Sequence, residues 1–501
     1  MASSPNHASL PVLESHLWEA ANILRGPVDA ADFKSYIFPL LFFKRISDVF
    51  DEEFEQALQE SGGDRQFADF PENHRFQIPD GCHWNDVRAR TSNIGQALQR
   101  AFRGIEKGNP ATLYGIFGDT QWSNRERLSD ELLCDLVEHF SSLPLSIGSV
   151  DSDILGQAYE YLIKKFADQT NRKAGEFYTP RSVVRFMVNI LDPRAGETIY
   201  DPACGSGGML LESVNHVRDA GGNVRSLWGH LFGQEKNRTT AAIARINLFL
   251  HGIEDFKIVR GDTLREPAFL LADSLATFDC VIANPPFSLK KWGEDIWVKD
   301  PYARNLAGLP PSKSADFAWV QHMVCSMAPK TGRMAVVLPH GALFRSGAEG
   351  AIRRKLLEAD SIEAVIGLAP NLFYGTGLAA CILVIRRRKV RARKERVLIV
   401  NADKLFRKGR SQNTLLPEHI DQILGWYGSF SDVPGAVRAV PLTEIAANDY
   451  NLNIPRYIET VDETPPVRVE DAICQFDDAL RAAWAAEDRL AGLLRGRGLL
   501  K

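Results

Sequence analysis

Apolar positions repeat along this chain in two different ways, and the change falls near residue 150. From Asp32 to Leu58 the residues Ile37, Leu40, Leu41, Ile46, Val49, Phe50 and Phe54 recur at helical spacing. That predicts a helix in which Pro39 marks the first turn or a kink. Gly62, Gly63 and the polar stretch to Asn85 read as loop. Residues 1–150 are therefore expected to form a helical N-terminal domain.

From 151 to 400 short apolar runs end at turn residues: Thr198–Tyr200, Leu231–Phe232, Lys257–Val259, Phe278–Ala283, Arg333–Leu338, Ile362–Leu368 and Ala379–Ile385. Helical patterns separate most of them, such as Thr239–Leu250 and Asp316–Met327. Thr179 followed by Pro180 reads as a helix start, with Thr as N-cap and Pro in the first turn. Val183, Val184, Met187, Val188 and Leu191 then line one face. Strands alternating with helices predict an α/β fold, a parallel, doubly wound sheet of about seven strands. Such sheets bind ligands beyond the carboxyl ends of their strands. Residues 401–501 are mixed, and Glu470–Leu494 carries Ile473, Phe476, Leu480, Ala483 and Trp484 as one apolar helical face. A terminal helix of this kind packs on its own core or docks on a partner.

Composition narrows the class only a little. The chain has 501 residues, 45% hydrophobic and 24% charged, enough for a large buried core. A net charge of -4 gives no global sign of nucleic-acid binding, so contact with DNA would need a local basic face or a partner chain. The N-terminus lacks a basic flank followed by an apolar core, and the apolar run Leu378–Ile385 is far too short to span a membrane. Cys82, Cys134, Cys204, Cys280, Cys325, Cys381 and Cys474 are scattered without metal-binding spacing, which argues against zinc and against a disulfide framework. No metal site is expected, and the cytoplasm is the natural compartment.

The acidic residues and glycines at strand ends carry the first chemical signal. TIYDPACGSGGML, 198–210, reads strand, glycine turn, helix. Gly205, Gly207 and Gly208, with Ser206 between, allow close backbone approach to a ligand, and the helix start offers free N–H groups. A dinucleotide fingerprint would want glycine where Leu210 stands. Asp201 at the strand end suits a positively charged cofactor, one with the amino group and sulfonium of S-adenosyl-L-methionine, better than a pyrophosphate. Glu235 ends the next strand, where a carboxylate can accept both ribose hydroxyls. Asp262 ends the one after and could accept from an adenine amino group. Any one of the three alone reads as a cap or a solvated turn. In register after consecutive strands, they point to a nucleoside cofactor.

The second signal is FDCVIANPPFSLK, 278–290. A buried strand runs into Asn284, Pro285, Pro286 and Phe287, and the prolines stop the ladder. They hold the Asn284 side chain and the Pro285 carbonyl as two fixed acceptors, which suits the two donors of an NH2 group. Engaging both frees the nitrogen lone pair to attack a methyl group in line. Phe287 can stack on a base, which must leave its duplex to enter such a pocket.

With these motifs the sequence resembles the methylation subunit of type I restriction-modification systems, in the family of N6-adenine DNA methyltransferases whose cofactor motifs precede the catalytic one. DPACGSGG is similar to the first cofactor motif and NPPF to the catalytic one. GEFYTPRSVVRFMV, 175–188, resembles a further cofactor element, which implies that Glu176, Phe177, Tyr178, Thr179, Pro180 and Arg181 pack over the methionine end and ribose. FKSYIFPLLFFKRISD, 33–48, resembles the helical N-terminal domain, and NDYNLNIPRYI, 448–458, the C-terminal segment. The resemblance implies a Rossmann-like methyltransferase sheet over 151–400 and methylation of adenine N6 in double-stranded DNA. About a hundred residues remain after 400, which leaves little room for target recognition. A separate specificity subunit is therefore expected. The resemblance further implies two copies of this chain around that subunit and a restriction subunit for cleavage. Cytosine N4, RNA adenine and protein glutamine remain open as substrates, as does a non-catalytic scaffold role.

Other candidates are balanced. Arg386–Arg396, RRRKVRARKER, could grip phosphates or form a solvated hairpin at the sheet edge. Lys290, Lys291 and Trp292 could touch the strand around a flipped base or form a loose loop. His340 reads as a loop residue, Cys204 as a small packed residue, and Arg353, Arg354 and Lys355 as a solvated helix face.

Overall fold

The computed structural model describes residues 8–169, 179–373, 377, 379–410, 412–459 and 469–500. Eleven strands follow in chain order: β1 (Ile199–Asp201), β2 (Leu231–Glu235), β3 (Lys257–Arg260), β4 (Leu270–Leu271), β5 (Ser274–Leu275), β6 (Cys280–Ala283), β7 (Arg333–Pro339), β8 (Ile362–Leu368), β9 (Ala380–Arg386), β10 (Arg396–Ala402) and β11 (Val437–Pro441). β4 and β5 form a small separate hairpin, and the other nine build one sheet in the order β11-β10-β8-β9-β7-β6-β1-β2-β3. β9 runs antiparallel to both neighbours, as β11 does to β10; the remaining pairings are parallel. The strand order reverses between β1 and β6, whose Ile199 and Tyr200 pair with Cys280 and Val281. This is the switch point where a doubly wound sheet opens a crevice. The glycine turn leaves the end of β1 and the NPPF turn leaves the end of β6.

The sheet has two strands more than the pattern between 151 and 400 predicts. β10 and β11 continue it to Pro441, and the compact unit runs to Ile458. A domain boundary at 400 would therefore cut through β10. The reason is a loss of periodicity: β11 is a short edge strand and the intervening segment is mostly loop and helix. The 448–458 segment also belongs to this unit, with Leu452, Ile454, Tyr457 and Ile458 buried beside β7, β8 and β10 residues.

The predicted N-terminal helix is present as Lys34–Glu60, with Pro39 inside it. Pro39 cannot donate to the Ser35 carbonyl four residues back. Thr120 Oγ1 donates to that carbonyl at 3.1 Å, so the helix continues. The core of this region holds residues from Leu13 to Phe166 and also Ile243, Ile246 and Leu250 of the helix Arg238–Leu250. The change of pattern at 150 thus separates two architectures that share one packed junction.

Residues 459–501 form a second unit. Its helix, Val469–Gly496, leaves Ile473, Phe476 and Trp484 exposed.

Candidate active site

A cavity of about 1350 Å³ lies at the carboxyl ends of β1, β2, β3 and β6. Among its lining residues are Thr179, Arg181, Asp201, Gly205, Ser206, Gly208, Glu235, Asp262, Asn284, Pro285, Pro286 and Phe287. The fold therefore brings residues more than a hundred positions apart to one wall. Gly207 is turned the other way, against Ala244 of the helix Arg238–Leu250. Pro180 is not on the wall but begins the helix Arg181–Leu191 as its N-cap. Glu176, Phe177 and Tyr178 lie outside the described residues.

The glycine turn is held from behind. Gly205 and Gly207 take φ of +52° and +80°, which a side chain rarely adopts. Cys204 N–H donates to the Gln234 carbonyl at 3.0 Å, Asn247 Nδ2 to the Ser206 carbonyl at 3.0 Å, and Thr263 Oγ1 to the Pro202 carbonyl at 2.6 Å. Cys204 is buried, and burial pushes its thiol well up, so it packs rather than reacts.

The three strand-end carboxylates sit in different electrostatic settings. Asp201 is 1% exposed, and its Oδ1 accepts the Ala203 N–H at 3.0 Å. Among the described residues no cation pairs with it. Burial pushes its carboxyl up to about 8, opposed by the Ala203 N–H and reinforced by Glu235. Glu235 accepts the N–H groups of Gly205 at 3.1 Å and Asn237 at 2.7 Å, and burial holds it above the usual carboxylate range. Asp262 is the exception: Lys236 Nζ lies at 2.8 Å and Arg265 Nε at 3.9 Å. Lys236 is exposed, so it can give way to another donor at little cost.

The NPPF turn presents an unsatisfied acceptor. Asn284 Nδ2 donates to Thr179 Oγ1 at 2.9 Å, while Asn284 Oδ1 is buried and has no partner among the described residues. A buried acceptor without a donor costs about 1–3 kcal/mol, which a ligand's N–H would recover. Thr179 was expected as a helix cap. The helix starts one residue later, no side chain caps it, and the Thr179 hydroxyl serves Asn284 instead.

Sequence reasoning missed the residues that hold this turn from the far side. Ser288 follows Phe287 with φ +49°. Its N–H donates to Asp316 Oδ1 at 2.7 Å, and Arg345 Nη1 donates to Asp316 Oδ2 at 2.8 Å. Glu349 joins Arg345 at 3.1 Å and accepts from Ser314 at 3.0 Å. Asp316 and Glu349 are buried, so the turn rests on a buried ionic cluster. Nothing in the local pattern marks these residues beyond an acid at a helix start. Phe373 was also missed; it lines the cavity edge-on to Phe287, with ring centroids 6.0 Å apart. Trp319 lines it too, with a buried indole N–H that has no partner among the described residues.

The residues left balanced by sequence now have places. Trp292 is buried and donates to the Pro311 carbonyl at 3.1 Å, whereas Lys290 and Lys291 are exposed. His340 Nε2 lies 3.1 Å from the Ala380 carbonyl, and burial lowers its pKa. Arg353 corrects the expectation of a solvated face: it is 3% exposed and donates to the carbonyls of Tyr450, Ala342 and Arg345. The C-terminal segment supplies the Tyr450 carbonyl, and the turn before the helix supplies the other two. Only Arg354 and Lys355 face solvent.

The sheet order, the glycine turn and the NPPF turn on one cavity match a known group. Residues 150–465 match the N-6 DNA Methylase family and residues 13–140 the HsdM N-terminal domain. The chain belongs to the N-6 DNA methylase family. It is 32% identical to the type I restriction enzyme MjaVII methylase subunit of Methanocaldococcus jannaschii, over 95% of this chain and 82% of that one. It is 30% identical to the HindI methylase subunit of Haemophilus influenzae over 74% of this chain and 84% of that one. Among solved structures, the type I restriction-modification methyltransferase subunit of Streptococcus thermophilus superposes with a TM-score of 0.78 at 30% identity, over 90% of this chain and all of that one. Among the described residues, no helix is long and apolar enough to cross a membrane.

Proposed function

We propose that this chain transfers a methyl group from S-adenosyl-L-methionine to N6 of adenine in DNA, as the modification subunit of a type I restriction-modification complex. The observation that carries this reading is the buried Asn284 Oδ1, without a partner among the described residues, on the same cavity as Asp201, Glu235 and Asp262. Family membership agrees with it.

The residues present fit that cofactor. Asp201 is a buried carboxylate with no cationic partner among the described residues, a suitable counter-charge for the methionine ammonium. Glu235 would take the ribose hydroxyls, and Asp262, after releasing Lys236, the adenine amino group. Gly205, Ser206 and Gly208 give the backbone approach, with Arg181 at the rim. Bound there, the cofactor supplies an electrophilic methyl group on a sulfonium.

This chain's own residues do the rest. Asn284 Oδ1 and the Pro285 carbonyl accept the two hydrogens of the target amino group. That draws the nitrogen from planar toward tetrahedral and aims its lone pair at the methyl carbon. Pro285 and Pro286 fix the turn, so neither acceptor must reorganise during the reaction. Phe287 and Phe373 offer aromatic surface for a base flipped out of its duplex. No strong base is needed, because the nitrogen sheds its proton once methylated.

Partners complete the reading. We assign sequence recognition on double-stranded DNA to a separate specificity subunit, with two copies of this chain around it and a restriction subunit for cleavage. The exposed apolar residues of Val469–Gly496 supply a docking helix for that assembly.

The test is co-expression with the specificity subunit, incubation with DNA and methyl-labelled S-adenosylmethionine, and analysis of the digested nucleosides. N6-methyladenine that disappears in Asn284→Ala supports the reading. N4-methylcytosine would keep the chemistry and replace the substrate. An assembled complex that binds cofactor and methylates neither base would overturn the DNA assignment.

A further inference from the structure

We propose that Thr179 is a positioning residue for methyl transfer, one that acts on the Asn284 amide and not on the cofactor. The inference rests on the assignment of Asn284 above and adds a residue whose family resemblance placed it elsewhere, over the methionine end and ribose.

Three observations carry it. Asn284 Nδ2 donates to Thr179 Oγ1 at 2.9 Å, across 105 positions of sequence. Asn284 Oδ1, the other end of the same amide, is buried without a partner among the described residues. The Thr179 hydroxyl has no helix to cap, because Pro180 is the N-cap of Arg181–Leu191 and no side chain caps that helix. Among the described residues, the one hydrogen bond of this hydroxyl is the one it accepts from Asn284.

The chemistry explains why that matters. An amide has nearly the same shape with its oxygen and nitrogen exchanged. With oxygen outward it accepts from a substrate amino group. With NH2 outward it sets donor against donor and leaves its own donor unpaired. A hydroxyl on the inner side that takes the NH2 end lets the productive orientation satisfy both ends once substrate is present. Without it, neither end is anchored, and the acceptor must be ordered within each turnover. Pro180, with its fixed φ, joins Thr179 directly to the start of the helix Arg181–Leu191. A β-branched side chain adds a narrow choice of χ1.

The test uses the complex assembled with its specificity subunit and Thr179→Val, which keeps shape and removes the hydroxyl. Thr179→Ser, which restores it, is the rescue. Three quantities are read: the single-turnover methylation rate at saturating S-adenosylmethionine, the Kd for S-adenosylhomocysteine, and the fluorescence of 2-aminopurine at the target position as a measure of flipping. Thr179→Val is expected to slow methylation roughly 10–100-fold. The Kd and the flipping signal should stay within about twofold, and serine should recover most of the rate. Combined with Asn284→Ala, the valine should cost little beyond Asn284→Ala alone, because its effect runs through that amide. A weakened Kd with an unchanged saturated rate would make Thr179 a cofactor contact and overturn the proposal. An unchanged rate in Thr179→Val would do the same. Full activity in Asn284→Ala would instead remove the assignment of Asn284 itself, so the two failures are distinguishable.

Discussion

Two sites at opposite edges of the sheet treat their buried polar groups differently. At the carboxyl edge, among the described residues, Asp201 is buried with no cation beside it and Asn284 Oδ1 is buried with no donor. At the amino edge, where β9 ends level with the starts of β7 and β8, buried polar groups are paired. Glu363, 1% exposed, accepts from Arg386 Nε at 2.5 Å, from Arg393 at 3.3 Å and from the Tyr427 hydroxyl. Lys389 donates to Asp360 at 2.6 Å and to the Arg396 carbonyl at 2.8 Å, and Arg387 to the Val324 carbonyl at 2.7 Å. The basic run 386–396 is therefore largely a stitch that closes the β9–β10 connection, at the edge away from the NPPF turn. Charge density pointed toward this edge, and unsatisfied chemistry points to the other. Unpaired buried groups cost stability and persist where a ligand completes them. Paired ones explain themselves by the fold.

This contrast can be broken by experiment, starting with its largest expected effect. Asn284→Ala should lower methyl transfer by about 10²–10³-fold or more. Its thermal midpoint should stay the same or rise, because a buried unsatisfied acceptor is removed. A large loss of stability would mean that this edge is structural as well. Glu363→Ala should do the reverse, lowering unfolding free energy in urea by about 3–5 kcal/mol, since Arg386, Arg393 and Tyr427 lose their common acceptor. The methylation rate per folded molecule should hold.

A third test sharpens the electrostatics of Asp201. Its carboxyl sits at about 8 in the free protein because it is buried. A bound cation favours the ionised form and lowers that value, so binding releases a proton below pH 8. Cofactor affinity should then fall as pH drops from 8 toward 6, by up to about tenfold per pH unit. Calorimetry in buffers of different ionisation enthalpy should detect the released proton, and Asp201→Asn should abolish both effects while weakening binding. The smallest effect is expected at the amino edge. Arg388→Ala combined with Arg391→Ala, both exposed, should leave the DNA affinity of the complex within about twofold and its salt slope unchanged. A slope reduced by about one per charge removed would show that this edge grips phosphate after all.

How much was legible follows from where each signal lives. Strand-then-turn motifs such as TIYDPACGSGG and CVIANPPF announce themselves, because a buried strand and its end residues are contiguous in sequence. The extent of the sheet was less legible, since β11 is a five-residue edge strand in a mixed segment. Thr179 read as a cap because its preference for that place is local, whereas its actual partner lies in another motif. Asp316, Arg345 and Glu349 had no local sign, because a buried ionic cluster is defined by who meets whom.

The sequence alone determined the alternation of strands and helices, the glycine and proline turns, and the acids at strand ends. Each depends on near neighbours, through side-chain period and backbone restriction. Tertiary structure decided which groups were completed and which were left open. Arg353, Arg386, Lys389 and Arg393 found partners, while among the described residues Asp201 has no cation and Asn284 Oδ1 no donor. Satisfaction of a polar group is a property of its surroundings in space, and those surroundings come from other segments of the chain, up to the 105 positions that separate Thr179 from Asn284.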